Sequence, residues 1–507
     1  MMKRNFTLLL ILVLTGLFAN AQRQGRVFDV STYGAKGDGK TIETEAINKA
    51  IDAAAQAGGG TVFFKAGTYL SYSIHLKSNI TLFIDQGATL QAADSLHYDA
   101  PEPNEFMKYQ DFGHSHWHNS LIWGENLENI SILGEGMIYG KGLVREGDRR
   151  PVGTGNKTIS LKNCRNVELR DITILYGGHF VLLATGVDNL TCDNLKIDTN
   201  RDGLDIVSCK NVKVSNCSVN SPEDDGICLK ADYALGKFKD TEDVTITNCM
   251  VSGYDTGTML DGTFQHLKNG ALARNPIGRI KFGTESSGGF RNITISNCVF
   301  DFCRGLALET VDGGLLEDIS ITNVTMRNIV NAPIFLRLGN RMRSPEGTPI
   351  GELRRINISN FVVYNADPHY ASIISGIPGH DIQDVKLRDI RIYYQGGGTK
   401  EQAALEVPEK ENAYPEPSMF GPVSSYGFFI RHVKGLEMDN VEVSYMKDDV
   451  RPAIYLNDVK GADFVNLKAQ HAAGVPIFVL KDVTDFTTFR CKDLKDTEFK
   501  KLTTKNL

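Results

Sequence analysis

Several features are absent from this sequence, and each absence narrows the class of protein. No basic run occurs in the 507 residues, whose formal net charge is −6, so a nucleic-acid partner is not expected. No Cys-x-x-Cys pair occurs among the nine cysteines, which argues against metal binding by these thiols. No Ser/Pro-rich linker divides the chain, and no apolar run reaches the ~20 residues of a membrane span. The absences predict one globular domain.

The apolar run at residues 6–18 is too short to span a membrane, and its flanks indicate an export signal. Two basic residues precede it, and the small-residue sequence ANA follows at residues 19–21, which predicts cleavage before Gln22. We therefore expect a signal peptide at residues 1–21, a single catalytic domain at residues 22–507, and a periplasmic or secreted protein. The oligomeric state stays open.

A short phrase of alternating apolar residues recurs along the chain. Copies include "VELRDITIL", "VKVSNCSVN", "VTITNCMVS", "ITISNCVFD" and "INISNFVVY", at intervals of about 20–50 residues that are typical of solenoids. Alternation with a period of two, Asn at the corner and no intervening helical pattern predict the stacked coils of a parallel β-helix.

The start of the chain and three long segments depart from this repeat. At residues 44–60, "TEAINKAIDAAAQAGGG" has Ala and Ile at helical spacing and ends in three glycines. It predicts a short helix that caps the first coil and protects its strand edge. Long loops, which are often functional, are predicted near residues 97–120, 251–280 and 395–425.

The cysteines follow the repeat. Their odd number leaves at least one without an intrachain partner. Cys164, Cys217, Cys249 and Cys298 each follow an Asn at the same place in the repeated phrase, as small buried residues stacked in a solenoid would. We predict mostly free, buried thiols.

Two acidic phrases lie about one coil apart. "NRDGLD" contains Asp202 and Asp205, and "PEDDGICLK" contains Asp224 and Asp225. Neighbouring strands lie about 4.7–4.9 Å apart, so carboxylates one coil apart share a patch of surface. Close like charges raise one another's pKa and separate an acid from a base, as glycoside hydrolysis requires. Asp-Gly is also a common turn signal, so a corner role stays open.

These phrases carry a resemblance to a known family. "FDVSTYGAKGDGKTIETEAINKAI", "NISILGEGMIYGKG", "NRDGLD" and "DDGICLK" resemble motifs of glycoside hydrolase family 28, the polygalacturonase and rhamnogalacturonase family. The resemblance implies an all-β, right-handed, single-stranded parallel β-helix of the pectin-lyase type. It also implies inverting, cofactor-free hydrolysis of an α-galacturonosyl linkage in an acidic pectic polysaccharide or oligosaccharide. Asp224 is then the general acid, and Asp202 and Asp225 position and deprotonate the water.

The sequence departs from the family at two motifs. Gly278 or Arg279 stands where the family's Gly-His-Gly has its His. Ala307-Leu308-Glu309 replaces the family's Arg-Ile-Lys, which binds the galacturonate carboxylate on the leaving-group side. A carboxylate there would meet Glu309 instead of two cations. This favours a neutral leaving sugar such as rhamnose, and hence a rhamnogalacturonan hydrolase or galacturonidase.

Five cations are candidates for binding the galacturonate on the non-reducing side. Lys230 follows the aspartate pair, Arg279 and Lys281 alternate on one strand face, and Arg337 lies in "PIFLRLGNR" with Arg341 close behind. For each, a solvated surface cation is the competing interpretation.

The phrase "FGHSHWHNSLIWG" contains the alternating histidines His114, His116 and His118, with Trp117 between the last two. No acidic or cysteine residue adjoins them in sequence, so a sugar-stacking platform that includes His116 and His118 is favoured over a metal site with His114. A further long segment carries Tyr414 and Glu416, and such a loop folded over the cleft would favour exo cleavage.

Two other functions stay open at this stage. The first is a calcium-dependent pectic lyase on the same fold, because Asp clusters also suit calcium. The second is a non-catalytic β-helix that binds polysaccharide. The full set of acidic motifs favours hydrolysis over both.

Overall fold

The computed structural model describes residues 26–94, 96–145, 151–266 and 276–507. The predicted signal peptide and part of the loop predicted near 251–280 lie outside the described residues. Most of the described chain winds as one solenoid in which each strand pairs in parallel with its counterpart one coil further along. The predicted parallel β-helix is confirmed. Within the described ranges, no helix is long and apolar enough to cross a membrane.

Helix α1, Thr44–Gln56, covers the first coil. Its inward side chains recur at helical spacing and are fully buried: Ile47, Ala50, Ile51 and Ala54. Gly58 and Gly59 follow it with φ of 86° and 122°, values that glycine adopts without steric cost. The predicted capping helix is therefore confirmed. A second helix, α2, spans Lys400–Ala403, and short 3₁₀ helices span Val30–Tyr33, Met107–Tyr109, Phe112–Ser115 and Pro417–Phe420.

In the N-terminal half, most coils contain short strands separated by corners. Strands β1 to β22 are, in order, Val27–Asp29, Asp38–Ile42, Gly60–Phe64, Gly67–Ser71, Ile74–His75, Ile80–Ile84, Ala88–Ala92, Ser120–Glu125, Glu128–Leu133, Met137–Tyr139, Lys157–Lys162, Arg165–Arg170, Thr173–Leu175, Phe180–Thr185, Asp188–Asp193, Lys196–Asp198, Leu204–Val207, Lys210–Ser215, Ser218–Asn220, Ile227–Ala231, Thr241–Thr247 and Met250–Ser252.

In the C-terminal half, many strands lengthen and run through the corners. Strands β23 to β35 are Ile280–Ser286, Phe290–Asp301, Leu306–Thr310, Leu315–Arg327, Ile334–Leu338, Glu352–Ala366, Ser372–Ser375, Ile382–Gly396, Phe428–Lys447, Ile454–Val465, Lys468–Ala469, Phe478–Phe489 and Thr497–Asn506. The last strand, β35, pairs antiparallel with β34 and covers the edge of the final coil, a device that hinders edge-to-edge association.

The core is a stack of apolar side chains, one layer per coil. Leu182, Leu204, Ile227 and Ile280 are register partners on four successive coils and are at most 1% exposed. Each such side chain contributes roughly 1.5–3 kcal/mol by leaving water. The alternating residues of the same strands point outward. At each outward position of the sheet, every coil therefore contributes one side chain, and these side chains stack along the solenoid.

Asparagine occupies the corners because the backbone there is left-handed. Asn129, Asn166, Asn189 and Asn211 have φ between 55° and 57°, a region that Asn tolerates better than most residues. Each side-chain amide donates to the Asn of the preceding coil at 2.8 or 2.9 Å, which forms a ladder along the solenoid. The Asn inside the repeated phrase lies at a second corner, where Asn216, Asn248 and Asn297 have φ between 55° and 57°, so the predicted corner is confirmed.

The thiols lie inside the solenoid. All nine cysteines are free and buried, and Cys164 and Cys217 lie within hydrogen-bond range of carbonyl oxygens of their own and neighbouring coils. The prediction of free, buried thiols is confirmed.

Candidate active site

The two acidic phrases end on adjacent strands of one sheet. Leu204 in β17 is in register with Ile227 in β20, and the pairing continues backwards because the Gly203 amide donates to the Asp225 carbonyl at 3.0 Å. The coil is therefore 23 residues long here, as Leu204 and Ile227 show. Asp202 lies one coil below Asp225, rather than below Asp224 as the 22-residue estimate implies.

Three carboxylates converge at this point. One oxygen each from Asp202, Asp224 and Asp225 lies within 4.8 Å of the other two. Asp202 and Asp225 are buried, whereas Asp224 is half-buried. The stacking argument from the sequence thus places the same three residues together that the structure does.

Asp225 is held as a carboxylate. Arg279 donates from Nε to Asp225 Oδ1 at 2.9 Å, and Lys281 Nζ lies 3.4 Å from Oδ2. Burial alone would raise the pKa of Asp225, but the charges of Lys281 and Arg279 lower it to about 2. Asp225 is therefore ionised at neutral pH and is suited to act as a base.

Asp202 is held in its acid form. It is 2% exposed, and within the described chain its Oδ1 has no hydrogen-bond partner. Burial raises the pKa of Asp202 well above its usual range, and the neighbouring charges of Asp224 and Asp205 raise it further. The cluster therefore combines a protonated carboxyl with an ionised one.

Asp224 forms an ion pair with Arg201, which lies at the matching position one coil earlier. Arg201 donates from Nε to Asp224 Oδ2 at 2.9 Å and lies 3.7 Å from Asp202 Oδ2. The other side of the guanidinium contacts the ring of His179, which burial and the charge of Arg201 keep neutral by lowering its pKa well below the usual value. Sequence reasoning missed both Arg201 and His179. Arg201 lies inside the acidic phrase "NRDGLD", where attention fell on the aspartates, and His179 lies in the unremarkable phrase "YGGHF" just before a strand.

Lys230 belongs to a second charged group beside the cluster. Its Nζ lies 2.8 Å from Asp205 Oδ2 and 3.7 Å from Glu285, and 2.7 Å from His114 Nε2. Burial would lower the pKa of Lys230, but Asp205 and its neighbours raise it well above the ordinary value. Lys230 is therefore a permanent cation whose neighbours fix its position.

Loop residues from far along the chain complete the site. Glu416 contacts the guanidinium of Arg279 and lies 2.9 Å from Arg304. Tyr414 is 54% exposed, and Lys281 Nζ lies 5.5 Å from its ring centroid. The loop predicted near residues 395–425 thus lies against the acidic cluster.

Glu309 lies behind Lys281. It is fully buried, its Oε2 is 3.6 Å from Lys281 Nζ, and neither oxygen has a hydrogen-bond partner among the described residues. Burial raises the pKa of Glu309 to about 8 even though Lys281 and Arg279 act to lower it. The predicted direct contact of Glu309 with a substrate does not fit this burial, because the Glu309 carboxyl lies beneath the surface, next to Lys281.

Arg337 anchors the same loop. It is 1% exposed and donates to Ser375 Oγ at 2.8 Å, to the Gly376 carbonyl at 3.0 Å, and to the carbonyls of Glu409 and Lys410 at 3.1 Å. These bonds occupy the guanidinium, so the structure assigns Arg337 a role in holding the loop. Its contact with substrate stays a prediction.

The prediction of a sugar-stacking platform is wrong for Trp117. Trp117 is 1% exposed and donates from Nε1 to Thr185 Oγ1 at 3.0 Å, because the loop folds its ring down onto the sheet. His116 is buried with Nδ1 2.5 Å from the Glu102 carbonyl. His118 is 25% exposed and stacks on Trp123 with centroids 3.9 Å apart.

Among the residues that the structure describes, two groups of side chains have the ligand types of a metal site. One is Asp202, Asp224 and Asp225, and the other is Asp111, His114 and Glu285. Both groups already contain cations: Arg201, Arg279 and Lys281 contact the first, and Lys230 lies 2.7 Å from His114 Nε2 in the second. A divalent ion would have to displace these ion pairs, so the residues present do not fit a resident metal.

Family models match two overlapping parts of the chain. "Glycosyl hydrolases family 28" matches residues 105–254, which include the acidic cluster. "Rhamnogalacturonase A/epimerase, pectate lyase-like" matches residues 27–176.

Similar proteins extend the comparison. The chain is 23% identical over 389 residues to a probable polygalacturonase of Vitis vinifera, and the alignment covers 71% of this chain and 73% of the relative. It is 26% identical over 349 residues to exo-poly-alpha-D-galacturonosidase of Dickeya chrysanthemi, with 56% of each covered. The family 28 exopolygalacturonase of Yersinia enterocolitica superposes with a TM-score of 0.62 at 18% identity, over 88% of this chain and 78% of that one.

The fold and the carboxylate cluster, with the family match over that cluster, define a glycoside hydrolase on a right-handed parallel β-helix. Within that class, the resemblance to glycoside hydrolase family 28 that the acidic motifs predict is confirmed.

Proposed function

We propose that the protein hydrolyses an α-galacturonosyl linkage in a pectic polysaccharide or its oligosaccharides. The observation that carries the proposal is the pairing of an ionised carboxylate, Asp225, with a protonated one, Asp202, within 4.8 Å. Hydrolysis of a glycosidic bond requires one carboxyl group as acid and one as base. The names of the relatives, a polygalacturonase and an exo-poly-alpha-D-galacturonosidase, support galacturonate as the sugar.

The electrostatics support a division of roles within the cluster. Asp225, whose pKa is about 2, acts as the base that deprotonates the attacking water. The family resemblance implies Asp224 as the acid, and Asp202 holds the proton of the resting cluster beside it. Protons in such a closely coupled set belong to the set and not to one member, so Asp202 supplies the proton that Asp224 delivers.

The proposal further specifies that the sugar on the leaving-group side of the cleaved bond is neutral. The cations nearest to Glu309 are already paired with acidic side chains, because Arg279 contacts Asp225 and Glu416 and Lys281 contacts Asp225 and Glu309. A second galacturonate carboxylate would find no unpaired cation there. This supports a rhamnogalacturonan-type substrate.

Exo action and inversion complete the proposal. Two contacts among the described residues support a groove that is narrowed at one end: the loop with Tyr414 and Glu416 lies against Arg279 and Lys281, and an ion pair of 2.9 Å joins Arg343 to Asp111. A narrowed groove favours removal of terminal sugars. Inversion rests on the family resemblance, since the carboxylate oxygens lie closer than the ~6.5–9.5 Å between carboxyl groups that inverting enzymes typically show.

One incubation tests substrate, reaction type and stereochemistry together. The mature protein is mixed with homogalacturonan and rhamnogalacturonan oligosaccharides, and the anomers of the products are followed by proton NMR. We expect release of galacturonate of inverted configuration, faster from rhamnogalacturonan, and no product from the Asp224→Asn variant. Equal turnover of both substrates contradicts the rhamnogalacturonan assignment. An unsaturated, ultraviolet-absorbing product that chelator abolishes identifies a lyase instead.

The cellular site is part of the same proposal. An apolar run flanked by basic residues and an ANA sequence at residues 19–21 supports export to the periplasm or beyond, where pectic oligosaccharides are accessible. Detection of a mature chain that begins at Gln22 in a periplasmic or culture fraction is the expected result. Retention of the full-length chain in the cytoplasm would contradict it.

A further inference from the structure

Four cations surround the acidic cluster, and Arg201 differs from the other three in its exposure. The Arg201 side chain is 23% exposed, against 8% for Lys230, 2% for Arg279 and 3% for Lys281. A cation must be reachable from the groove in order to bind a group of the substrate. Arg201 is therefore the member of this set that a ligand can contact without a rearrangement of the surrounding side chains.

Arg201 also has one hydrogen-bonded carboxylate partner, that of Asp224. The other three each lie near two acidic side chains: Lys230 near Asp205 and Glu285, Arg279 near Asp225 and Glu416, and Lys281 near Asp225 and Glu309. Arg201 hydrogen-bonds to Asp224 at 2.9 Å, and its other acidic neighbour, Asp202, lies further away at 3.7 Å. The ring of His179 on its far side is neutral.

We propose that Arg201 recognises the carboxylate of the bound uronic acid and exchanges Asp224 for it. The inference rests on the proposed function and names the residue that determines its specificity. A guanidinium pairs with one carboxylate as well as with another, so the exchange replaces one charge-assisted pair by a similar one. A methyl-esterified sugar offers no carboxylate and leaves Arg201 on Asp224.

The exchange also explains how Asp224 becomes available as an acid. Once Arg201 turns to the substrate, Asp224 loses its cation while it still lies within 4.8 Å of Asp202 and Asp225. Like charges at such a distance favour retention of a proton among the three carboxyl groups. The proton that Asp202 holds is then shared with Asp224, which delivers it to the glycosidic oxygen. Recognition and activation are thus one event.

The test compares two forms of one substrate. A galacturonate-terminated pectic oligosaccharide is prepared as the free acid and as its methyl ester, and kcat/KM is measured for both. We expect Arg201→Gln to reduce the preference for the acid by about 10- to 100-fold, the value of one charged hydrogen-bonded pair. The loss falls on the acid, and Arg201→Lys retains part of the preference. Arg170→Gln, which removes an exposed arginine paired with Glu168, is the control and keeps the wild-type ratio.

Two outcomes overturn the inference. Equal losses on acid and ester in Arg201→Gln, with the melting temperature unchanged, make Arg201 a structural residue while the proposed function stands. If the wild type cleaves neither form, the proposed function fails, and calorimetric titration with galacturonic acid decides the inference alone. Binding weakened 10- to 100-fold in Arg201→Gln then supports it, and unchanged binding overturns it.

Discussion

Arg279 donates from Nε to Asp225 Oδ1 at 2.9 Å across 54 residues of sequence. The same guanidinium contacts Glu416 on a loop 137 residues further on. Arg279 therefore joins Asp225, the proposed base, to the loop that carries Glu416.

The first prediction concerns the ionisation of that base. In Arg279→Gln, Asp225 keeps Lys281 but loses its hydrogen-bonded cation, so burial raises its pKa from about 2. Because a base must be ionised, activity is lost at a higher pH than in the wild type as the medium is acidified. We expect the acidic limb of kcat/KM to move up by about 1–3 pH units, as measured between pH 3 and pH 8. Arg304 still holds Glu416 in this variant.

The control for this profile is Arg354→Gln. Arg354 forms ion pairs with Glu317 and Glu352 on the solenoid surface, away from the acidic cluster. Its profile should match that of the wild type. Superimposable acidic limbs for Arg279→Gln and the wild type would remove Arg279 from the control of Asp225.

The second prediction separates chemistry from folding at Asp202. Because Asp202 is held in the acid form, the neutral amide of Asp202→Asn replaces it with little electrostatic change in the folded state. We expect the melting temperature to stay within ~3 °C, whereas kcat falls by about 10²- to 10⁴-fold, the usual contribution of a proton-transferring group. Asp243→Asn, at a corner with φ of 57°, is the matched control. Full activity in Asp202→Asn would exclude Asp202 from proton transfer.

The third prediction concerns stability and pH at Glu309. The pKa of Glu309 is raised from 4.5 to about 8, so the folded state binds this proton more tightly than the unfolded chain does. The resulting stabilisation is complete below about pH 4.5 and is lost as the pH rises towards 8. Glu309→Gln has no such proton to lose. Relative to this variant, the wild type should therefore lose roughly 2–5 kcal/mol between pH 5 and pH 8.5.

Denaturant unfolding at several pH values measures this difference. The exposed Glu346 supplies the control, because Glu346→Gln should parallel the wild type at every pH. A constant difference between the wild type and Glu309→Gln from pH 5 to pH 8.5 would show that Glu309 ionises normally.

The fourth prediction distinguishes a structural from a substrate-binding role for Arg337. Its guanidinium donates to the carbonyls of Gly376, Glu409 and Lys410. Arg337→Gln leaves these acceptors without their donor, and we expect a loss of roughly 2–5 kcal/mol of stability together with faster proteolysis of the loop near residues 400–420. KM for the oligosaccharide should change less than kcat. A large rise in KM at unchanged stability would instead restore the predicted contact with substrate.

The fifth prediction follows from the buried thiols. Because all nine cysteines are free and buried, a thiol reagent such as Ellman's reagent should label none of them in the folded protein and nine after denaturation. A reducing agent should leave the melting temperature unchanged. Fewer than nine labelled thiols in the denatured, unreduced protein would reveal a disulfide.

Some of the site could be read from the sequence because it depends on local pattern and repeat length. The apolar alternation in phrases such as "VKVSNCSVN" specifies strands, and Asn at the corner specifies a left-handed turn, as at Asn216 and Asn248. The spacing of the acidic phrases then brings Asp202 beside Asp224 and Asp225. The estimate erred by one residue in the register, since sequence alone does not fix how a coil closes.

Other parts of the site could not be read because they depend on where long loops fold. His114 meets Asp205 across 91 residues, and Arg343 meets Asp111 across 232. The sequence interpretation found no acidic partner for the histidines because none adjoins them in the chain. It also placed Trp117 on the surface, whereas the loop buries its ring against Thr185.

The sequence by itself determined the solenoid, its capping helix, its buried thiols and the three aspartates, because each follows from a periodic pattern of short range. The tertiary structure decided which cation meets which carboxylate. Arg201 lies on Asp224, Arg279 and Lys281 lie on Asp225, and Asp202 keeps its proton. The physical reason is that ionisation depends on burial and on distances of a few ångströms between groups, and those distances are set when coils stack and loops close.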